Sequence, residues 1–287
     1  MLNSKLSNTR KLIRCWVESW GIDGVYVAYS GGKDSEVLLH VARSMYPDIK
    51  AVFSNTGLEF PEIVKHVKRK DNVDIVRPKI PFHKVIERWG WPVVSKNVSM
   101  AISRYRNTKR QDQKNYRLNG KIVNGKKYTA GTIPKKWQYL ISAPFSISEQ
   151  CCQHLKKNPF KLYERKTGRR PMIGIMSGDS EIRRRDIASR GCNVYDAKAP
   201  QSRPLARWNE DDIYQYILEF DIDICPVYSM GYDRTGCIFC MYGLSQEEQS
   251  TGSNRFLKMR KTHPELHDYC INKLGVGTVL DFMGHHY

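Results

Sequence analysis

The 287-residue sequence has no apolar run approaching the roughly 20 residues that a bilayer-spanning helix needs. Residues 1–14 are polar and basic and lack the hydrophobic core of a signal peptide, so a cytoplasmic protein without membrane attachment is expected. Acid is scarce: 29 Asp+Glu stand against 47 Lys+Arg, a formal net charge of +18. Such an excess favours polyanions or phosphorylated ligands as partners. Cysteine is sparse as well, with eight residues spaced too unevenly for a disulfide scaffold, which leaves metal binding, redox chemistry or burial. What is present in quantity is apolar residue, 40% of the chain, enough for the core of one large domain or two small ones and too much for a disordered chain.

The apolar positions recur with readable periods. Leu12, Ile13, Trp16, Val17 and Trp20 lie at helical spacing behind Ser7, Asn8 and Thr9, which predicts a core-facing helix over residues 6–20. An apolar run at 25–29, a glycine turn, and then Val37, Leu38, Val41, Ala42 and Met45 on one helical face predict strand, turn and helix. Further strands are expected at 50–54, 73–77, 172–176 and 193–197. Helices are expected at 60–70, 82–89, 180–189 and 211–220, the last capped by Asn209. Strands alternating with helices predict an α/β fold, a parallel twisted sheet with helices on both faces. Four segments are expected: the first part of a nucleotide-binding α/β domain (1–94), a basic insert (95–148), the rest of that domain with a cysteine cluster (149–243), and a helical C-terminal segment (244–287).

The insert differs from its flanks in composition. Between Ala101 and Leu140 there are eleven bases and one acid, Asp112, with five aromatics interleaved: Tyr105, Tyr116, Tyr128, Trp137 and Tyr139. Bases neutralise phosphates and aromatic rings stack on nucleobases, so Arg117, Lys121, Lys126 and Lys127 are expected to contact nucleic acid. A solvated loop that merely keeps the protein soluble is the plain alternative. Asn119-Gly120 and Asn124-Gly125 offer tight turns and predict a small β-hairpin.

Ser30-Gly31-Gly32-Lys33-Asp34-Ser35 follows a predicted strand and opens a predicted helix. Its backbone N–H groups and the positive helix end can converge on an anion. Lys33 adds a point charge, Ser30 and Ser35 add hydroxyl donors, and Asp34 is placed to hold a divalent cation against phosphate oxygens. The hexapeptide resembles the PP-loop of the adenine nucleotide alpha-hydrolase superfamily, which grips the β,γ-pyrophosphate of ATP while an acceptor is adenylated. Phe53-Ser54-Asn55-Thr56-Gly57-Leu58-Glu59-Phe60 is similar to a motif of one branch, the phosphoadenosine phosphosulfate (PAPS) reductase family, with Asn55 standing in the place of Asp. So is Gly174-Ile175-Met176-Ser177-Gly178-Asp179-Ser180 with Arg183, where Met176 replaces an arginine. Residues 208–217, Pro226-Val227-Tyr228 and Gly231-Tyr232-Asp233-Arg234-Thr235-Gly236-Cys237 carry the likeness to about residue 243. The resemblance implies a Rossmann-like fold that binds ATP with Mg²⁺, or an adenylyl nucleotide. It places Ser30, Gly31, Gly32, Lys33, Asp34, Ser35, Asn55, Thr56, Gly57, Gly174, Ser180 and Arg183 at the nucleotide, with Lys33 and Asp34 catalytic.

Cys151 and Cys152 are adjacent, and Cys237 and Cys240 form a C-x-x-C that begins 85 positions after Cys152. Two close pairs can converge as four thiolates on one centre. Tandem side chains diverge, which is awkward for zinc, whose structural sites use pairs two to four residues apart; zinc and unligated core thiols are nonetheless the two alternatives to iron. The pattern resembles the ligand set of adenylyl-sulfate reductases and implies a 4Fe-4S cluster on Cys151, Cys152, Cys237 and Cys240. Residues 151–160 are also similar to the family's Cys-Cys-x-x-Arg-Lys-x-x-Pro-Leu motif, keeping Lys156 and Pro159 with Leu155 in place of the Arg, which implies a catalytic part for Lys156. Cys15, Cys192, Cys225 and Cys270 read as packing residues, with Cys225 near enough in sequence to Cys237 to be a substitute ligand or a redox partner.

The resemblance leaves three activities open. The leading expectation is an ATP-dependent sulfurtransferase that adenylates a substrate and passes sulfur to tRNA or DNA, drawing it from a cysteine desulfurase. A sulfonucleotide reductase that forms sulfite is the second; it needs a nucleophilic thiolate, and with no cysteine in residues 280–287 only Cys270 could supply one. A non-catalytic nucleic-acid-binding module is the third.

Overall fold

Along the first helix, α1 (Leu2–Trp20), the residues that recur every third or fourth position are the ones that are buried, among them Leu6, Ile13, Trp16 and Val17. The one polar side chain in that stripe, Thr9, is satisfied: it accepts from Trp208 Nε1 at 2.8 Å and donates to the Pro204 carbonyl at 3.0 Å. The computed structural model describes residues 2–195 and 198–287. It divides into two compact units, Met1–Pro78 with Asn158–Thr235, and Lys79–Lys157 with Gly236–Tyr287.

The first unit begins with α1, β1 (Val25–Tyr29), α2 (Lys33–Met45), β2 (Ala51–Ser54), α3 (Pro61–Lys68) and β3 (Val73–Val76). The chain then enters the second unit through α4 (Phe82–Trp89), β4 (Val93–Val94), α5 (Lys96–Asn107), α6 (Gln111–Asn119) and the strands β5 (Lys121–Val123) and β6 (Lys126–Tyr128). It returns to the first unit as α7 (Asn158–Thr167), β7 (Arg170–Ile173), α8 (Glu181–Arg190), β8 (Asn193–Val194), β9 (Gln201–Ser202) and α9 (Glu210–Glu219). It ends in the second as β10 (Met241–Tyr242), α10 (Leu244–Thr251), α11 (Arg255–Thr262), α12 (Pro264–Asp268) and α13 (Val276–Met283). No helix of the described residues is long and apolar enough to cross a membrane.

The first unit is built on a sheet of order β3-β2-β1-β7-β9-β8, parallel throughout except that β8 runs against β9. Val25 and Val27 of β1 and Ala51 and Val52 of β2 are wholly buried, as expected for strands covered by helices. Chain order runs outward from β1 in one direction through β2 and β3, and in the other through β7. That reversal leaves a crevice at the carboxyl ends of β1 and β7, where open α/β sheets bind their ligands.

The expected fold class is present, a mainly parallel sheet flanked by helices. Two strands differ from expectation. The one expected at 172–176 ends at Ile173, because the Ile175 amide turns back to the Ile173 carbonyl, 3.0 Å away. The one expected at 193–197 is a two-residue antiparallel edge; residues 196 and 197 lie outside the described residues. Asn209 caps α9 as expected, in a reciprocal box with Asp212. In the insert, the hairpin turns on Asn124-Gly125, both at positive φ, whereas Asn119-Gly120 closes a helix.

Candidate functional site: a phosphate turn and a thiol cluster

In the first unit, the segments expected at a nucleotide follow the carboxyl ends of three neighbouring parallel strands: 30–35 after β1, 55–57 after β2 and Gly174 after β7. Gly32 is the N-cap of α2 and has no side chain to cap the first-turn amides, which leaves them to partners from elsewhere. A Cβ there would stand 2.5 Å from Thr235 Oγ1 and 3.1 Å from Tyr228 Oη, so any larger residue would have to displace both side chains. Gly174 is equally constrained, because its Cβ would meet the Asp34 carbonyl oxygen at 3.0 Å. This close approach brings the end of β7 onto the first turn of α2.

Within the turn, the Ser30 amide donates to Ser35 Oγ at 3.1 Å, the Gly32 amide to Ser30 Oγ at 3.3 Å, and the Lys33 amide to Tyr228 Oη at 2.8 Å. Burial pushes the Tyr228 hydroxyl up to about 12, so it is a neutral partner at physiological pH. Lys33 is only 5% exposed; its Nζ lies 3.0 Å from Asp34 Oδ1 and 3.2 Å from Glu210 Oε1. Burial pulls the Lys33 ammonium down, but Asp34 and Glu210 outweigh it and hold the pKa above the ordinary lysine value. Lys33 therefore stays a cation at the mouth of the turn.

Behind the turn lies a buried network that the sequence did not signal. Glu36 accepts from the Tyr29 hydroxyl, from His66 Nε2 at 2.9 Å and from Lys70 Nζ at 2.7 Å. Burial raises its carboxyl, and the hydrogen bonds from His66, Lys70 and Tyr29 reverse that and hold it below the usual carboxylate range. The available clue was a charged residue beside Val37 and Leu38 on a core-facing helix. Tyr228 and Glu210 were likewise not expected at the turn.

The remaining predicted nucleotide residues make local bonds. Asn55 Oδ1 accepts from the Gly57 amide at 2.9 Å, and Thr56 Oγ1 donates to Glu59 at 2.7 Å. Ser180 caps α8 by accepting from the Arg183 amide at 3.3 Å, and the Arg183 guanidinium pairs with Asp179. These bonds hold Ser180 and Arg183 at the start of α8, on the surface.

All four cysteines of the expected cluster belong to the second unit, and the 91–94 segment connects the two pairs. The chain at Trp91 bonds to the Ser146 carbonyl and receives the Ser148 amide, while β4 pairs in parallel with β10, Val93 opposite Met241. Cys151 and Cys152 follow the first partner and Cys237 and Cys240 precede the second, so both pairs hang from the 91–94 segment. Cys151 Sγ and Cys152 Sγ are 3.9 Å apart, and the Cys240 amide closes a turn on the Cys237 carbonyl at 3.0 Å. The hydrogen bond from Cys151 lowers the Cys152 thiol below its ordinary value, with Lys156, Lys96 and Lys157 helping against burial. Cys151 is pushed up by its bond to Cys152 and by burial, with Cys240 and Cys237 adding to it. Lys156 thus reaches the thiols electrostatically from the π-helical turn Gln153–Lys157.

Among the described residues no group of three or more His, Cys, Asp or Glu side chains is gathered at metal-holding spacing. The donor chemistry still fits a thiolate-held centre: Cys152 is drawn toward the thiolate by the hydrogen bond from Cys151, with Lys156, Lys96 and Lys157 adding to it. Cys225 is buried in the first unit; Cys270 is buried in the second, its thiol pushed up to about 12 by burial.

In the insert, Arg117 is turned inward, its Nη1 donating to the Gly131 carbonyl at 2.7 Å, whereas Lys121, Lys126 and Lys127 are exposed.

The family model for the phosphoadenosine phosphosulfate reductase domain matches residues 24–76 and 83–242. An uncharacterised protein of Methanocaldococcus jannaschii is 24% identical over 258 residues, which cover 87% of this chain and 47% of that protein, so the chain spans about half of that relative's length. The adenosine 5'-phosphosulfate reductase of Staphylococcus saprophyticus is 21% identical over 271 residues, covering 93% of this chain and 90% of that enzyme. Among solved structures, the U34-tRNA thiolase of Methanococcus maripaludis with its 4Fe-4S cluster aligns with a TM-score of 0.41 and 14% identity, over 97% of this chain and 80% of that one.

Proposed function

The chain belongs to the phosphoadenosine phosphosulfate reductase domain family, and we propose that it is an ATP-dependent enzyme that adenylates an acceptor and replaces the adenylate with sulfur on a nucleic acid. The observation that carries this reading is the 30–35 turn: an uncapped helix start, two glycine-dependent close approaches and a buried lysine kept charged by two carboxylates. In this reading the first-turn amides of α2 and Lys33 hold the phosphate oxygens of ATP, and Asp34 holds Mg²⁺ against them. An acceptor oxygen attacks the α-phosphorus, pyrophosphate leaves, and a sulfur nucleophile then displaces AMP. The +18 charge and the basic insert support a nucleic-acid acceptor.

Cys151, Cys152, Cys237 and Cys240 would hold a 4Fe-4S cluster, which when bound would supply a sulfur-carrying or redox centre. The lysines of the second unit keep that region receptive to thiolate charge.

A second reading, reduction of a sulfonucleotide to sulfite, is supported by the similarity to the staphylococcal reductase over nearly the whole of both chains. Pyrophosphate release from ATP and Mg²⁺, measured with tRNA and with DNA, separates the two. Acceptor-dependent release supports the first. Sulfite formation from adenylyl sulfate with no pyrophosphate release from ATP overturns it in favour of the second, and turnover of neither substrate leaves a binding module and overturns both.

A further inference from the structure

The helices α5 and α6 are joined by three residues, 108–110, and are followed at once by the β5–β6 hairpin. With α4 and β4 before them, the order helix, strand, helix, tight turn, helix, two-stranded ribbon is that of a helix-turn-helix with a wing. One side of this unit is tied down. Arg106 on α5 donates to four carbonyls, those of Leu140, Ile141, Ala143 and Phe145, at 2.6–3.0 Å. On α6, Tyr116 and Arg117 donate to the Ala130 and Gly131 carbonyls, and Gln138 donates to the Leu118 carbonyl at 3.2 Å.

The other side is unpartnered. No residue of α6 is buried, and Gln111, Asn115 and Asn119, spaced four apart, form an exposed stripe of carboxamides. Gln111 and Asn115 bond to one another at 3.2 Å, and the one carboxylate nearby, Asp112, is neutralised by Arg110. All ten residues 121–130 are exposed, and Ile122 is 75% exposed, so the hairpin adds no core. A two-stranded ribbon with both faces in water is marginal on its own. The paired positions put Lys121 and Lys126 on one face of it and Lys127 on the other.

We propose that this unit docks on double-stranded DNA, with α6 in the major groove and the β5–β6 hairpin on the flanking phosphates. The inference rests on the nucleic-acid reading above and names its partner. An α-helix, about 10–12 Å in diameter with its side chains, fits a major groove about 12 Å wide, and Asn and Gln pair bidentately with adenine there. The major groove of A-form RNA is too deep and narrow for a helix to read. Lys121, Lys126 and Lys127 give the ribbon positive charge on both faces, complementary to the phosphates.

The test is fluorescence anisotropy without ATP, using a labelled 24-base-pair DNA, the same sequence as duplex RNA, and the same DNA carrying glucosylated hydroxymethylcytosine, whose sugars fill the major groove. Plain DNA is expected to bind at least tenfold more tightly than either of the others. Charge reversal at the ribbon, Lys121→Glu with Lys126→Glu and Lys127→Glu, is expected to weaken DNA binding at least tenfold and flatten the slope of log K against log salt by about 2 to 3. Duplex RNA bound as tightly as DNA, or glucosylated DNA bound as tightly as plain, overturns the proposal even if the triple variant does not fold. Because ATP is absent, such a result leaves the chemistry of the 30–35 turn to its own assay, and loss of pyrophosphate release with intact DNA binding does the reverse.

Discussion

The 30–35 turn and the thiol region both gather ionisable groups away from water, and they settle the charge in opposite ways. At the turn every buried charge has an internal answer: Lys33 sits between Asp34 and Glu210, and Glu36 behind it collects Lys70, His66 and Tyr29. At the thiols Cys152 is drawn toward its anion first by the hydrogen bond from Cys151 and then by three lysines. A seat for a soluble polyanion can be neutral at rest, because the arriving phosphates exchange partners with groups already in place. A seat for thiolates must supply standing positive charge, since the ligands themselves are the anions.

The largest effect is expected where that exchange is removed. Lys33→Ala and Asp34→Ala should each lower acceptor-dependent pyrophosphate release by a factor on the order of 10² to 10³, the scale for losing a preorganised charge, while circular dichroism stays unchanged. Retained release in either variant would detach the turn from the chemistry. Next comes the thiol region: protein purified without oxygen is expected to absorb broadly near 400 nm with about four irons per chain. Cys151→Ser should lose that absorption and Cys225→Ser should keep it. A colourless wild type with one zinc would make the region structural and remove its claim to carry sulfur.

A smaller effect, on stability, tests the neutral balance at the turn. Glu36→Gln leaves Lys70 without its buried counter-charge and should cost about 3 kcal/mol in urea unfolding at pH 7. Because Glu36 is held below the ordinary carboxylate value in the folded state, its contribution is fully present above the unfolded value of about 4.3. It is lost as pH falls through the folded value. The gap between wild type and Glu36→Gln should therefore narrow as pH falls below about 5, and a gap constant down to pH 3 would show that Glu36 is not the stabilising anion.

The turn was legible in the sequence because it is contiguous: six residues, a strand before and a helix after, fix the direction of its amides. The parallel sheet was legible for the same reason, each strand carrying its own apolar run. What could not be read was pairing at a distance. Tyr228 and Glu210 arrive at Lys33 from 195 and 177 residues away, and the two cysteine pairs share a unit because the neighbours of both bond to the 91–94 segment. In the insert, composition marked the bases without ranking them. Arg106 and Arg117 turned out to serve carbonyls of the insert itself, leaving the hairpin lysines outside. A guanidinium offers five donors in a fixed fork, so it is the base most readily consumed by backbone, whereas a lysine ammonium more often stays in water.

The smallest effect sharpens the comparison most. The Tyr228 hydroxyl accepts from the Lys33 amide at 2.8 Å, at the place where an incoming phosphate oxygen would accept instead. If the turn at rest is satisfied by its own side chains, nucleotide must break that bond, and a neutral hydrogen bond is worth about 1 kcal/mol net. Tyr228→Phe should then tighten ATP binding by about fivefold in calorimetry, with kcat little changed, because the hydroxyl competes with the ligand and does not serve it. Weaker binding in the variant would mean that Tyr228 moves onto the phosphates and stays there, and the turn would join the thiols as a region completed by its ligand.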